Sequence, residues 1–196
     1  MSTLTAPAGT ISHSRHLSAA FSVGAVLAVL GSLGFISLNS LPPREAYAHP
    51  VGIVTYALAA IGCLILAFGL MRWRTTLPGW AVVASAAGLV FAAASAYAQG
   101  TFTVAAAVKT DNELFDQLFF GSPWVLGGMA PKSLLCLAGF LTLAIAGWRQ
   151  RSIPRSAATL LGVAGILSIW PPYPPGVIAA SMAFLIISRG PTEARR

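Results

Sequence analysis

No charged side chain falls between His16 and Arg44, and none between Arg155 and Arg189. Uncharged stretches of that length constrain the fold more than any other feature. A soluble domain carries roughly 25% charged residues to cover its surface, whereas this chain has 9% against 56% hydrophobic. A soluble globular enzyme and a disordered chain are both excluded as ordinary readings, and an all-α, polytopic helical membrane bundle remains.

A helix crossing the hydrocarbon needs about 20 apolar residues. Four runs meet this length: 17–38, 51–71, 79–98 and 123–148. The run after Arg155 is broken by Pro171-Pro172-Tyr173-Pro174-Pro175-Gly176. Proline has no N–H and clashes with the preceding turn, so this segment cannot continue a helix. The run is therefore read as two short helices, 156–170 and 174–188. Each is about 22 Å long at 1.5 Å per residue, against a core of about 30 Å. They cross a locally thin region or form a re-entrant hairpin, and both versions return the chain to the side it left. Six spans are expected, forming a single transmembrane domain over 17–188 between tails at 1–16 and 189–196.

The basic residues set the expected orientation. Arg15, Arg72, Arg74, Arg149, Arg151, Arg155, Arg189, Arg195 and Arg196 share one side of a six-span topology. The other side has Arg44, Lys109 and Lys132, with the acids Glu45, Asp111, Glu113 and Asp116. The positive-inside rule then places both termini in the cytoplasm, with the plasma (inner) membrane as the location. Trp73, Trp80 and Trp148 fall near the inner boundary, and Trp124, Trp170 and Tyr173 near the outer one, as an aromatic belt requires. A competing reading of the first run takes Arg15, the apolar stretch and Ala46-Tyr47-Ala48 as a signal peptide with its cleavage site. The apolar stretch exceeds the usual 7–15 residues of such a segment, and Pro42 to Glu45 separate it from the site.

The outer loop, 99–122, is read as more than slack chain. Thr110 followed by Glu113 is a capping-box pattern. Acids at 111, 113 and 116 alternate with Leu114, Phe115, Leu118, Phe119 and Phe120. This predicts a short interfacial amphipathic helix over 111–120, apolar side toward lipid or the bundle. The apolar segment 101–108 either extends the third span or dips back into the interface.

Chemistry is thin in this sequence. His13, His16 and His49 all lie outside the apolar runs, which disfavours haem ligation within the helices. His13 and His16 have helical spacing but no carboxylate partner, so a solvated tail outweighs a metal site. Cys63 and Cys136 sit singly in apolar runs and read as small buried hydrophobes. There is no H-E-x-x-H, no G-x-S-x-G and no phosphate-binding glycine pattern. No cofactor is expected, an enzyme is disfavoured, and the arginine clusters read as membrane anchors, not as a nucleic-acid surface.

Lys132 is the one ionisable residue inside a span. Counting back from Trp148 gives about 24 Å of helix, which puts it roughly 6 Å inside the outer edge of a 30 Å core. Its stem can snorkel to the headgroups from there. Alternatively it faces the bundle and meets Asp111, Glu113, Asp116 or an anionic ligand, with Trp124 at the same end. Pro131 beside it and Gly127-Gly128 predict a broken-helix site with close helix approach.

Small residues at four-residue spacing, Ala84, Gly88, Ala92, Ala96 and Gly24, Ala28, Ser32, predict close packing within the bundle or against a partner helix or second copy. The expected partners are thus the lipid bilayer and a membrane protein or homo-oligomer, with no nucleic acid. Two functional readings remain. One is a non-enzymatic interaction or accessory membrane protein. The alternative is a small transporter or lipid-handling protein with its site near Lys132. The direction in which Lys132 points discriminates between them.

Overall fold

The computed structural model describes residues 9–73, 75–119, 122–169 and 174–189, with side chains from 17 onward except those of 124–126. The sequence also assigns places to Arg15, Arg74, Phe120, Trp124, Trp170, Tyr173, Arg195, Arg196 and the prolines at 171 and 172, whose side chains lie outside this description. The described residues form α1 Gly9–Ser37, α2 Pro43–Ala48, α3 Pro50–Arg72, α4 Gly79–Ala98, α5 Val104–Lys109, α6 Asn112–Phe119, α7 Pro123–Gln150, α8 Arg155–Leu167 and α9 Pro174–Arg189. Prolines open α2, α3 and α7, where a missing N–H costs nothing because that donor has no helical partner.

Four stretches are long and apolar enough to cross a membrane: Leu17–Ser37, Pro50–Arg72, Gly79–Lys109 and Gly127–Gln150. Their outward surface carries large apolar side chains such as Phe68, Phe102, Leu134 and Ile145, which water would not cover cheaply. The chain is a helical membrane protein. α8 and α9 are shorter apolar helices of 13 and 16 residues.

The helices make a closed ring. α1 packs on α3, α3 on α4, α4 on α7, α7 on α8, α8 on α9, and α9 returns to α1. Neighbours run antiparallel, as the paired positions show. Gly24 lies against Leu66, Gly31 against Ala59 and Gly69 against Phe21, so numbers rise along one helix as they fall along the other. The same holds where Gly88 meets Cys136 and Gly139 meets Ser85. The small-residue stripes are thus used inside the chain's own bundle, where a missing side chain lets backbones approach. The ring closes with a serine cluster at the arginine-rich end. The Ser18 hydroxyl donates to the Ser188 carbonyl at 2.9 Å, and the Ser22 and Ser188 hydroxyls lie 3.0 Å apart. Phe21 stacks on Phe184 beside it, with ring centroids 5.1 Å apart.

At the opposite end the expected loop 99–122 is mostly helix. α4 does not stop at Ala98. It runs through a π-turn over Gln99–Thr103 into α5, giving one continuous 31-residue helix to Lys109. The wider turn absorbs an extra residue and re-aims α5. α5 lies beside α2, a helix that the sequence pattern does not predict, and the Arg44 Nε–H donates to the Ala107 carbonyl at 2.8 Å.

The amphipathic helix is present as α6, with Phe115 buried and Leu114, Leu118 and the acids exposed. Its cap differs from the expected box. The Thr110 hydroxyl donates to the Ala106 carbonyl at 2.8 Å and so closes α5, which takes it away from α6. Asp111 replaces it, its carboxylate accepting the Leu114 N–H at 2.8 Å.

Tyr47 centres this outer cap. Its ring lies within 6.0 Å of Phe35, Tyr56, Phe115 and Phe119, measured between centroids. Burial raises the Tyr47 phenol above its ordinary value of 10.0, and a hydrogen bond with Tyr56 partly offsets this. A folded-state value above the unfolded one stabilises the fold fully below pH 10, and that contribution is lost as pH rises through the folded value. Tyrosine absorbance should therefore show the cap loosening in alkali above pH 10, and Tyr47→Phe should remove that transition. An identical alkaline profile in Tyr47→Phe would reject Tyr47 as its source.

Candidate functional site

Lys132 stands one helical turn before Cys136 on α7, on the face that packs toward the ring interior. It is 2% exposed, so the side chain is buried and does not reach out as a snorkelling anchor. Its ammonium lies within electrostatic reach of the Cys136 thiol on its own helix and of the Cys63 thiol on α3. Cys136 in turn hydrogen-bonds Ser168 just past α8, whose hydroxyl donates to the Ala164 carbonyl at 2.7 Å. Residues from three helices thus converge where the sequence offers one isolated lysine. The sequence reads the thiols as inert packing, and nothing in their spacing along the chain shows that they share a neighbourhood with a cation.

Next to Cys63 is a cavity of ≈ 20 Å³ between α1, α3, α4 and α9, bounded by Ser32, Tyr56, Ala92, Ala96 and Val177 among others. That is room for about one water molecule. Elsewhere the ring interior is packed chiefly by Ala, Leu and Phe side chains.

The remaining candidates are Asp111, Glu113, Asp116 and Trp124, the last with its side chain outside the described ones. Asp111, Glu113 and Asp116 are exposed on and before α6. Asp111 is engaged in capping, and Glu113 accepts from Gln117 at 3.4 Å. α6 packs against α2 through Phe115 and Phe119 on Tyr47. Trp124 belongs to the first turn of α7.

The expected broken helix is not found, because α7 is continuous through Pro131. The proline ring is exposed, and membrane-spanning helices tolerate an internal proline without a break. Nor do Gly127 and Gly128 mark a close approach among the described residues, none of which a Cβ on either would meet within 4 Å. The close approaches on this helix occur deeper, at Cys136 and Gly139.

Among the described residues no group of three or more histidine, cysteine or acidic side chains is arranged to hold a metal ion. A cation beside thiols in an apolar interior can bind an anion or relay a charge. Comparison with known families, with curated proteins and with solved structures gives no match, so the activity has to be read from this geometry.

Proposed function

We propose that the chain is a six-crossing protein of the plasma membrane, both termini cytoplasmic, that handles a small anionic ligand or lipid through Lys132. One observation carries the functional part: the lysine is buried inside the ring, 2% exposed, and not directed to the headgroups. A cation at membrane depth costs several kcal/mol by most scales and by default marks a candidate functional site. Its place toward the acid-rich end, one turn below Gly128, where a Cβ meets no described residue within 4 Å, favours approach from that side.

The topology rests on the arginine split and on the antiparallel order of six helices round the ring. The accessory-protein reading is favoured by a different observation, the small size of the cavity beside Cys63, ≈ 20 Å³. The two are separated by purifying the wild type and Lys132→Met under gentle conditions and identifying bound small molecules by mass spectrometry. Loss of an anionic ligand in the variant supports handling through Lys132, and unchanged content in both returns the accessory reading.

Orientation is tested with an impermeant thiol reagent. Cys63 and Cys136 are both buried, so the wild type should give little background. Cysteines placed at Arg44 and Asp116 should react in intact cells, and one at Arg151 only after the membrane is opened. Reaction at position 151 in sealed cells would reverse the topology.

A further inference from the structure

The arginine-rich end holds a second feature, which the lysine site does not use. Where α3 turns into α4, a cleft of ≈ 600 Å³ opens between Met71, Trp73, Thr75, Thr76, Leu77 and Val83. That volume lies within the range of small-molecule sites. Its lining is graded. Met71 and Val83, 58% and 52% exposed, form an apolar trough on the lipid-facing side. Thr75 and Thr76 stand at its polar end. Trp80, 59% exposed, sits in the first turn of α4 at the same end, the level at which an indole marks the headgroup boundary.

Arginines flank the turn that carries Thr75 and Thr76, without themselves lining the cleft. Arg72 adjoins Met71 and Trp73, and it is exposed. The Thr76 hydroxyl donates to the Gln150 side-chain oxygen at 3.4 Å, which brings the end of α7, with exposed Arg149 and Arg151, up to the same turn. Arg155 is already engaged, its guanidinium 5.6 Å from the centre of the Trp148 ring. All four described acids, Glu45, Asp111, Glu113 and Asp116, belong to the opposite end. The arginines near the cleft therefore have no carboxylate there among the described residues to neutralise them.

We propose that this cleft seats one anionic phospholipid, its phosphate between Arg72, Thr76 and Arg149 and one acyl chain along Met71 and Val83. A soluble phosphate compound would use the charges and leave the trough empty. A zwitterionic lipid would fill the trough and leave the charges uncompensated. An anionic lipid satisfies both.

The test uses the full chain exchanged into phosphatidylcholine vesicles carrying a minor fraction of phosphatidylglycerol, then extracted for native mass spectrometry. Phosphatidylglycerol should be retained in preference to phosphatidylcholine. Arg72→Gln and Arg149→Gln should each weaken that preference about fivefold, the usual worth of one arginine near an anionic surface. Val83→Trp should fill the trough and abolish retention. Val90→Trp, at an exposed position of the same helix outside the cleft, should leave retention unchanged. Both tryptophans face outward, so folding is not at stake, and a monodisperse elution profile checks it. Equal retention of the two lipids, undiminished retention in Val83→Trp, or competition by glycerol phosphate as effective as by the lipid would each overturn the assignment.

Discussion

Gly31→Leu should leave almost no monodisperse protein after detergent extraction, whereas Gly127→Leu should be recovered at wild-type yield or better. A Cβ at Gly31 would lie 2.5 Å from both the Thr55 carbonyl oxygen and the Ala59 nitrogen. These are backbone atoms of α3, which cannot swing aside as a flexible side chain would. Overpacking a core with repacking side chains costs roughly 1–3 kcal/mol, and a leucine driven against a neighbouring helix backbone exceeds that range. Set against a total stability of about 5–15 kcal/mol, the α1–α3 contact should separate. At Gly127 a Cβ meets no described residue within 4 Å. There leucine only improves helix propensity, by up to about 1 kcal/mol relative to glycine. Extraction yield and elution profile decide the matter, and equal behaviour of the two variants would mean that α1 and α3 do not approach through Gly31.

The second large effect is expected at Lys132. Methionine has nearly the length of lysine without the ammonium, so Lys132→Met keeps the volume beside Cys136 and removes the charge. Replacing a buried charge with an apolar side chain of similar size is often neutral or stabilising. Folded protein should therefore be as abundant as wild type, while anion binding falls at least tenfold, a loss of about 1.4 kcal/mol or more. Lys132→Arg keeps the charge but places a wide planar fork where a compact ammonium sat, and it should bind only partially. Lys132→Glu should fail to bind any anion. Binding that follows charge in the order Lys, Arg, Met identifies a site. Equal binding in all of them, or a loss of folded protein in Lys132→Met with ligand content per molecule unchanged, would reduce Lys132 to a structural residue.

How much of the fold is legible in the sequence depends on where polarity varies along the chain. Charged and proline-rich boundaries place the helix ends closely: the expected 51–71 is Pro50–Arg72 in the structure, and the expected 174–188 is Pro174–Arg189. α6 is readable because its acids and phenylalanines alternate with helical period. Inside the spans both faces are apolar, so hydrophobic periodicity cannot say which face turns inward. Size says it instead. Ala25, Ala28, Ala60, Ala92 and Ala164 are buried, while Val23, Val26, Ile61, Val90 and Val163 on the same helices are exposed. With no contrast in polarity between lipid-facing and inward-facing positions, Lys132 can be placed in depth but not in azimuth, and the thiols beside it stay invisible. α2 escapes a sequence reading because a six-residue helix that begins amid two prolines looks like a turn. It is held by contacts with α5 and the aromatic cap, which lie far along the chain from it.

The order of helices round the ring also governs how the protein can be made. Every extensive wall contact but one joins helices consecutive among the long and short spans, so each hairpin can form as it leaves the ribosome. The exception is the seam between α1 and α9, where Ser18 waits for Ser188 across 170 positions. Until α9 arrives, α1 presents Ser18, Ser22 and Phe21 to whatever else is in the bilayer. A nascent chain ending after α8 is therefore a ring with an open side, and its hydroxyls are available to a chaperone, a protease or the seam of another unfinished copy. Docking of α9 is what removes that handle, so quality control of this protein can be exercised at this 16-residue helix.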